Sequence, residues 1–166
     1  MTSRVRAIVP GASLTVLGRG LAGEEDALRN MPGMDVLGWV EPSDLPARFA
    51  AVKLAIVPWT DTPPNRARHS AKVLELMSAG LPIVAYAVGE LPSTVGSAGV
   101  LVEPGDEVAF AGAVAMLLSD SELARRLGAV ARERVRDRFT WERLSVSATD
   151  AYRAAGTAPD DSKGTS

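Results

Sequence analysis

The segment from Ser70 to Tyr86 constrains the fold most, because it joins a polar helix start to an apolar strand through one tight turn. Ser70 belongs to the residue types that cap helix N-termini, and Gly80 followed by Pro82 marks the helix end. The run Ile83–Tyr86 is apolar throughout, as in a strand that is covered on both faces. A helix that leads directly into such a strand predicts a parallel sheet with helices packed on it.

The same alternation of short apolar runs and helical patterns extends along most of the chain. Strands are predicted at Leu14–Leu17, Met34–Leu37, Leu54–Val57, Ile83–Tyr86 and Val100–Val102. Helices are predicted at Gly23–Asn30, Ser43–Val52, Ser70–Ala79 and Glu90–Val95, and then from Asp106 to Leu118, from Asp120 or Ser121 to Arg136, and from Thr140 to Tyr152. This pattern predicts an α/β fold, a Rossmann-like doubly wound parallel sheet followed by C-terminal helices. We expect one domain over residues 1–153 and a disordered tail over 154–166.

Composition excludes several classes of function. The chain has 166 residues, a net charge of -2 and 5% aromatic residues, which argues against a nucleic-acid surface. The basic run Arg132–Arg138 has interleaved acids and is predicted to be a solvated helix face. No run approaches the roughly 18 apolar residues of a membrane span, and the chain lacks cysteine. We therefore expect a cytoplasmic protein without disulfides.

The start of the predicted 70–79 helix carries an excess of positive charge. Lys72 lies in the first turn, where a cation opposes the helix dipole, and Arg66, Arg68 and His69 come just before it. A bound anion would resolve this arrangement through the free N–H groups and the side chains. In the alternative interpretation the arginines are solvated and Lys72 pairs with Glu75. Such a pair is worth only a few tenths of a kcal/mol, so we favour an anion site.

A glycine motif, Gly18-Arg-Gly20-Leu-Ala-Gly23, follows the first predicted strand and matches a dinucleotide-binding fingerprint. That fingerprint needs an acid at the end of the second strand, where Gly38-Trp39 stands instead. The acids Glu24–Asp26 would also repel a pyrophosphate unless they point away. A small NAD-binding domain is thus a weak alternative, and the plainer interpretation is that the glycines permit close approach of a ligand or the next strand.

Five segments in order carry a resemblance to a known family: Val16-Leu-Gly18-Arg-Gly20, Val36-Leu-Gly38-Trp-Val40, Leu54-Ala-Ile-Val-Pro58, the Lys72 to Ala85 stretch, and Gly99-Val-Leu-Val-Glu-Pro104-Gly-Asp106. Together they resemble the C-terminal, donor-binding half of GT-B glycosyltransferases, especially family 4, the glycosyl transferases group 1. The resemblance covers about residues 5–153. It also implies that the first strand and loop of this half, and the acceptor domain before it, are missing from the chain.

Nine positions match residues with which that family holds its nucleotide-sugar donor: Gly18, Gly20, Trp39, Val40, His69, Ser70, Ala71, Lys72 and Glu75. The resemblance places the glycines against the diphosphate, the Trp39-Val40 pair beside the nucleobase, and the helix start at the phosphates and donor sugar. It places Lys72 near the diphosphate or ribose. It also places Glu75 on the ribose hydroxyls, since a carboxylate can accept hydrogen bonds from a diol. It implies no metal and assigns no catalytic residue.

Two functions of different class follow. The first is a glycosyltransferase donor half that transfers a sugar from a nucleotide sugar with retention, without a metal, and with an acceptor domain outside this chain. The second is a non-catalytic remnant that binds a nucleotide or a protein partner, and whether the chain alone is an enzyme stays open. The family's Glu-x7-Glu motif has Ala67 at its first position, which leaves the sugar undetermined.

Overall fold

The computed structural model describes residues 2–20 and 24–156. Its strands are β1 (Leu14–Leu17), β2 (Met34–Gly38), β3 (Ala55–Val57), β4 (Ile83–Tyr86) and β5 (Gly99–Val102). The helices in this part of the chain are α1 (Thr2–Ile8), α2 (Glu24–Arg29), α3 (Leu45–Ala50), α4 (Pro63–Arg66), α5 (Ala71–Ser78), α6 (Leu91–Val95), α7 (Glu107–Ser119), α8 (Ser121–Arg138) and α9 (Trp141–Gly156). The five predicted strands are all present, and the α/β class is confirmed.

The strands form two parallel sheets instead of the single sheet that the sequence predicts. One sheet pairs β1 with β2, and the other has the order β3-β4-β5. In the larger sheet Ile83 lies opposite both Ala55 and Gly99, so β4 is the central strand. No strand in the described residues bridges β1 and β3, which agrees with the missing first strand that the family resemblance implies.

The core lies on the two faces of the larger sheet, and β4 connects both halves of it. Ile83 and Ala85 point into a cluster with α5, α6 and α8, while Val84 and Tyr86 point into a cluster with α1 and α7. All four β4 residues are buried, as expected for a parallel strand with helices on both faces. The apolar run Ile83–Tyr86 is therefore the central strand of the core.

One predicted helix is divided by prolines. The sequence pattern favours a single helix over Ser43–Val52, but the chain first forms a 3₁₀ turn at Pro42–Asp44 and then α3. Pro46 has no N–H to donate to the carbonyl of Pro42, so α-helical bonding cannot extend back across it. The predicted helix at Gly23–Asn30 is observed from Glu24 to Arg29, and Gly23 itself lies outside the described residues.

The C-terminal helices begin as predicted, with aspartate caps. Asp106 Oδ1 accepts a 2.8 Å hydrogen bond from the N–H of Ala109, and Asp120 Oδ1 accepts a 2.8 Å bond from that of Leu123. α9 extends to Gly156, into the segment that the sequence assigns to the tail, and none of its residues is buried. Residues 157–166 lie outside the described residues.

Replacing Asp106 by alanine is expected to lower the free energy of unfolding by about 1 kcal/mol, because α7 loses its N-terminal cap. Urea unfolding followed by circular dichroism measures this change. Asp106→Asn keeps an acceptor oxygen at the cap and serves as the control, with a loss of at most a few tenths of a kcal/mol. Equal losses in the two variants would contradict a capping role.

The basic run on α8 is a solvated face only in part, because Arg136 and Arg138 are exposed as predicted while Arg132 and Arg134 bond to carbonyl groups of other helices. Arg132 donates to the carbonyl oxygens of Ser78 at 3.3 Å and Ala79 at 3.0 Å, at the end of α5. Arg134 donates at 2.8 Å to Thr94 O near the end of α6. Carbonyls at helix ends lack intrahelical partners, so these arginines fasten α8 to the two helices that flank β4.

Candidate functional site

The residues predicted to bind a ligand lie at the carboxyl ends of the strands. β1 runs into Gly18 and Gly20, and β2 runs into Trp39 and Val40. β3 continues through residues 58–70 into α5, so the start of this helix follows the carboxyl end of the larger sheet. Ligands of open parallel sheets bind in crevices outside these strand ends. The predicted positions therefore occupy the edge of the fold where binding is expected.

The start of α5 leaves backbone donors free. Ser70 occupies the N-cap position in an extended conformation, and its carbonyl accepts from the N–H groups of Val73 and Leu74. Ser70 therefore stands at the predicted N-cap position, although its side chain makes no capping hydrogen bond. Within the described chain, the N–H groups of Ala71 and Lys72 have no acceptor. They are available to an anion at the positive end of the helix dipole.

Lys72 and Glu75 are both exposed one turn apart on α5, and Val73 and Met77 fill its buried face. Neither Lys72 nor Glu75 forms an ion pair with a described residue, so the alternative in which they pair with each other was wrong. The lysine charge consequently stands unbalanced beside the helix start, and the carboxylate is open to solvent. This arrangement offers a cation to a phosphate and an acceptor to hydroxyl groups.

Two of the other cations near the helix start are already engaged. Arg66 donates to both carboxylate oxygens of Asp61, at 2.5 and 2.7 Å, which raises the pKa of Arg66 and lowers that of Asp61. Arg68 lies over the ring of Trp59, 5.0 Å from its centroid. His69 remains exposed. The sequence pattern predicted more free positive charge at the start of α5 than the structure has, because it does not reveal the partners of Arg66 and Arg68.

The glycine loop after β1 holds a carboxylate of its own. Gly18 has φ +111°, a conformation that favours glycine. The N–H of Gly20 donates at 2.8 Å to Oε2 of Glu25, and backbone hydrogen bonds of this kind lower the pKa of that carboxyl. Glu25, one of the acids that would repel a pyrophosphate, therefore points at the loop. The sequence motif alone gave no sign of this contact.

Trp39 presents an open aromatic surface after β2. Its side chain is 63% exposed, and its indole N–H donates at 3.1 Å to Oε1 of Glu41, while Val40 is half-buried. A dinucleotide site would need an acid at the end of β2. Glu41 follows that strand end, but its carboxylate accepts the hydrogen bond of the Trp39 indole. The arrangement therefore favours stacking on Trp39 over ribose binding at Glu41.

The loops that follow β3 and β4 touch backbone to backbone. Gly89 has φ +54°, and a Cβ atom there would stand 2.7 Å from Cα of Arg66 and 2.9 Å from its carbonyl carbon. No side chain fits at that distance, so only glycine permits the contact. The contact holds the segment ahead of α5 against the loop after β4, and no sequence pattern reveals it.

A shallow cavity of about 300 Å³ lies elsewhere, where α3, α8 and the turn before β4 meet, and its lining includes Phe49, Lys53, Pro82 and Arg125. Lys53 and Pro82 precede β3 and β4, which places the cavity at the amino ends of the strands, opposite the predicted site. In residues 2–20 and 24–156 no group of three or more His, Asp or Glu side chains is arranged to hold a metal ion. In the same residues no helix has the length and apolar character needed to cross a membrane.

Comparison with known proteins identifies the family. Residues 1–120 match the family described as Glycosyl transferases group 1. The chain belongs to this family. It is 28% identical over 159 residues to glycogen synthase of Mycobacterium tuberculosis, which covers 92% of this chain and 37% of that protein. It is 36% identical over 144 residues to D-inositol 3-phosphate glycosyltransferase of Geodermatophilus obscurus, covering 86% of this chain and 28% of that one.

Solved glycosyltransferase structures share the fold. Sucrose-phosphate synthase from Thermosynechococcus elongatus superposes with a TM-score of 0.75 at 28% identity, over 93% of this chain and 41% of its own. HepE of Anabaena, solved with UDP-glucose, superposes with a TM-score of 0.68 at 19% identity, over 93% of this chain and 44% of its own. This group 1 glycosyltransferase chain thus has the fold of one GT-B half, and it spans less than half the length of these relatives.

Proposed function

We propose that this chain is the donor-binding half of a glycosyltransferase, which holds a nucleotide sugar at the carboxyl ends of its strands. The observation that carries the proposal is the start of α5, where two free backbone N–H groups, the unpaired Lys72 and the open carboxylate of Glu75 lie within about one turn. A diphosphate next to a ribose has the anion and the diol that these groups recognise. Membership of the glycosyl transferases group 1 supports the same donor class.

In this proposal the helix start stabilises the leaving group of the transfer. As the bond between sugar and phosphate breaks, negative charge grows on the nucleoside diphosphate. The N–H groups of Ala71 and Lys72 and the Lys72 ammonium then interact with it more strongly. Ser70 and His69 face the phosphates and the donor sugar, and no metal is required for this charge stabilisation. Transfer with retention, to an acceptor held by a domain outside this chain, completes the proposal.

The other proposed donor contacts lie at the carboxyl ends of the strands of the smaller sheet. The nucleobase stacks beside Trp39 and Val40, and the diphosphate approaches Gly18 and Gly20. Two structural neighbours support UDP sugars as the first donors to test, since HepE was solved with UDP-glucose and TarM of S. aureus with UDP.

Binding without turnover is the second candidate, and the contact between Gly20 and Glu25 favours it. The Glu25 carboxylate accepts the hydrogen bond of the Gly20 N–H, which a diphosphate would need as a donor. A remnant that has lost its acceptor half would keep nucleotide affinity at the start of α5 while tolerating such a contact. Transfer assays after addition of an acceptor-domain chain separate the two candidates, because only a donor half yields product.

Calorimetry with UDP, GDP and ADP sugars tests the proposed donor site. We expect saturable binding of at least one nucleotide sugar, with the free nucleoside diphosphate competing for the same site. Circular dichroism establishes that the protein used is folded. A folded protein that binds no member of the panel would overturn the donor-site proposal.

Replacing Glu25 by glutamine is expected to strengthen binding of a nucleoside diphosphate roughly fivefold, because a negative charge beside the Gly20 amide is removed. Asp26→Asn is the matched control, since this exposed neighbour makes an ion pair with Arg29 on α2. Calorimetry on the two variants gives the comparison. If Glu25→Gln binds no better than Asp26→Asn, the diphosphate does not approach Gly20.

A further inference from the structure

The shallow cavity of about 300 Å³ at the amino ends of the strands has walls that are mostly apolar. Phe49 and Val52 line it from α3 and the segment after that helix, and Leu81 and Pro82 line it from the turn before β4. Leu81 and Pro82 are buried, whereas Phe49 and Val52 are half-buried. Walls of this kind suit the apolar body of a small molecule, whose orientation is then fixed by a few polar groups.

Two cations stand at this cavity without a carboxylate partner. Arg125 of α8 is exposed and forms no hydrogen bond or ion pair with a described residue. Lys53 is also exposed, and its Nζ donates to the carbonyl oxygen of Leu118 at 3.4 Å, near the end of α7. The lining residues within the described chain include no acid. The countercharge of the two cations must therefore come from outside this lining.

The acids nearest to Arg125 in sequence do not neutralise it. Asp120 accepts a 2.8 Å hydrogen bond from the N–H of Leu123 as the cap of α8. Glu122, three residues before Arg125, forms no ion pair with it, and neither acid lines the cavity. The positive end of the α8 dipole reaches the lining at Ser121, the first residue of the helix. These features favour an anionic group at the α8 wall of the cavity.

The same lining discriminates between classes of anion. Besides Lys53 and Arg125, Ser121 contributes the only polar side chain among the described lining residues. The carbonyl oxygen of Ala79 already accepts a 3.0 Å hydrogen bond from Arg132. A sugar phosphate would bring several hydroxyl groups against apolar walls without partners, which weakens binding. A guanidinium pairs with a carboxylate through two parallel N–H donors, and the apolar walls suit a hydrocarbon body.

We propose that this cavity is a second ligand site, which binds a small carboxylic acid with a compact aliphatic or aromatic body. The carboxylate contacts Arg125 and Lys53, and the body lies against Phe49, Val52 and Leu81. A volume of about 300 Å³ admits roughly ten non-hydrogen atoms, at the ~30 Å³ that a water molecule takes up in the liquid. Because the cavity lies at the opposite end of the strands from the start of α5, the site does not rest on the proposed donor binding.

Titration with phenylacetate, a carboxylic acid of this size, tests the proposal. Proton–nitrogen correlation NMR follows the lining amides of Leu81, Ala124 and Arg125, with the amide of Lys72 at the donor end of the fold as the reference. We expect saturable shifts at the three lining amides with a Kd below about 1 mM, and no shift at Lys72. Phenylacetamide lacks the charge and inorganic phosphate lacks the apolar body. Each is expected to act on the lining amides with a Kd at least about tenfold higher.

Replacing Arg125 by alanine is expected to raise the Kd for phenylacetate at least about tenfold, because the charge-assisted bonds to the carboxylate are lost. The urea midpoint should stay unchanged, since this side chain has no described partner to lose. Arg126→Ala is the matched control, because Arg126 is the next residue of α8 and is also exposed but does not line the cavity. We expect an unchanged Kd for the control.

Several results would overturn the second site. A folded protein whose lining amides show no saturable shift has no such site. Equal affinity for phenylacetate and phenylacetamide, or for phenylacetate and phosphate, would mean that charge and apolar body do not act together. Equal losses in Arg125→Ala and Arg126→Ala would assign the attraction to the general charge of α8. Shifts confined to Lys72 would place the acid at the start of α5. Failure of nucleotide-sugar binding leaves all of these results unaffected.

Discussion

Replacing Glu75 by alanine is expected to weaken nucleotide-sugar binding by about 1 to 3 kcal/mol, which is roughly a 5- to 150-fold rise in Kd. The carboxylate is exposed on α5 and has no ion pair with a described residue, so its loss removes ligand contacts without breaking a structural one. The ribose hydroxyls would lose two charge-assisted acceptors at once. Calorimetry with the donor that binds the unmodified chain most tightly measures the change.

Two further variants isolate the role of Glu75. Glu75→Gln keeps one acceptor oxygen and is expected to fall between the unmodified chain and the alanine variant. Glu122→Ala removes an exposed glutamate from the first turn of α8, next to Ser121, which lines the cavity at the amino ends of the strands. We expect unchanged Kd for that variant and an unchanged urea midpoint for all three. If Glu75→Ala binds donor as well as Glu122→Ala does, Glu75 does not contact the ligand.

The central sheet was accessible from the sequence because its information is local. A short apolar run bounded by glycine and proline, such as Ile83–Tyr86, has few structural alternatives, and the strand bounds follow within one residue. The aspartate caps of α7 and α8 were equally readable, since the capping bond spans only three residues. The gap between β1 and β3 was implied by the family resemblance, in which the first strand is missing, and not by the local apolar pattern. Pairing of strands depends on what lies beside them, and the apolar pattern of β1 is the same with one neighbour or two.

The candidate site could likewise be predicted from the sequence only where the information is local. The spacing of Lys72 and Glu75 on one helix face is a local property, and the structure places both at the exposed start of α5. Whether Arg66 is free depends on Asp61 across a loop, and whether Gly20 is free depends on Glu25 across a turn. The helix face of Arg132 and Arg134 was misjudged for the same reason. Charge patterns do not show which carbonyl groups lie within reach of a long side chain.

Replacing Gly128 by alanine is expected to lower the free energy of unfolding by about 3 kcal/mol, near the upper end for overpacking of a tightly packed contact. A Cβ atom at this buried position of α8 would collide with the carbonyl oxygen of Gly80 and stand 3.5 Å from Cδ of Pro82. Gly80 has φ +83° and ends α5, so the collision is with backbone that cannot change rotamer. α8 would have to move away from α5, and the Arg132 bonds to the end of α5 would weaken with it.

Gly112→Ala is the matched control, because Gly112 also lies inside a helix but is exposed and has nothing within 4 Å of its Cβ position. Alanine there is expected to raise the free energy of unfolding by about 0.5 to 1 kcal/mol, since it reduces the freedom of the unfolded chain without a steric cost. Urea unfolding of both variants gives shifts of opposite sign. Because α5 carries Lys72 and Glu75, the folded Gly128→Ala protein should also bind donor more weakly, whereas Gly112→Ala should not. Shifts of the same sign would mean that close packing of α8 on the Gly80 turn does not hold α5 in place.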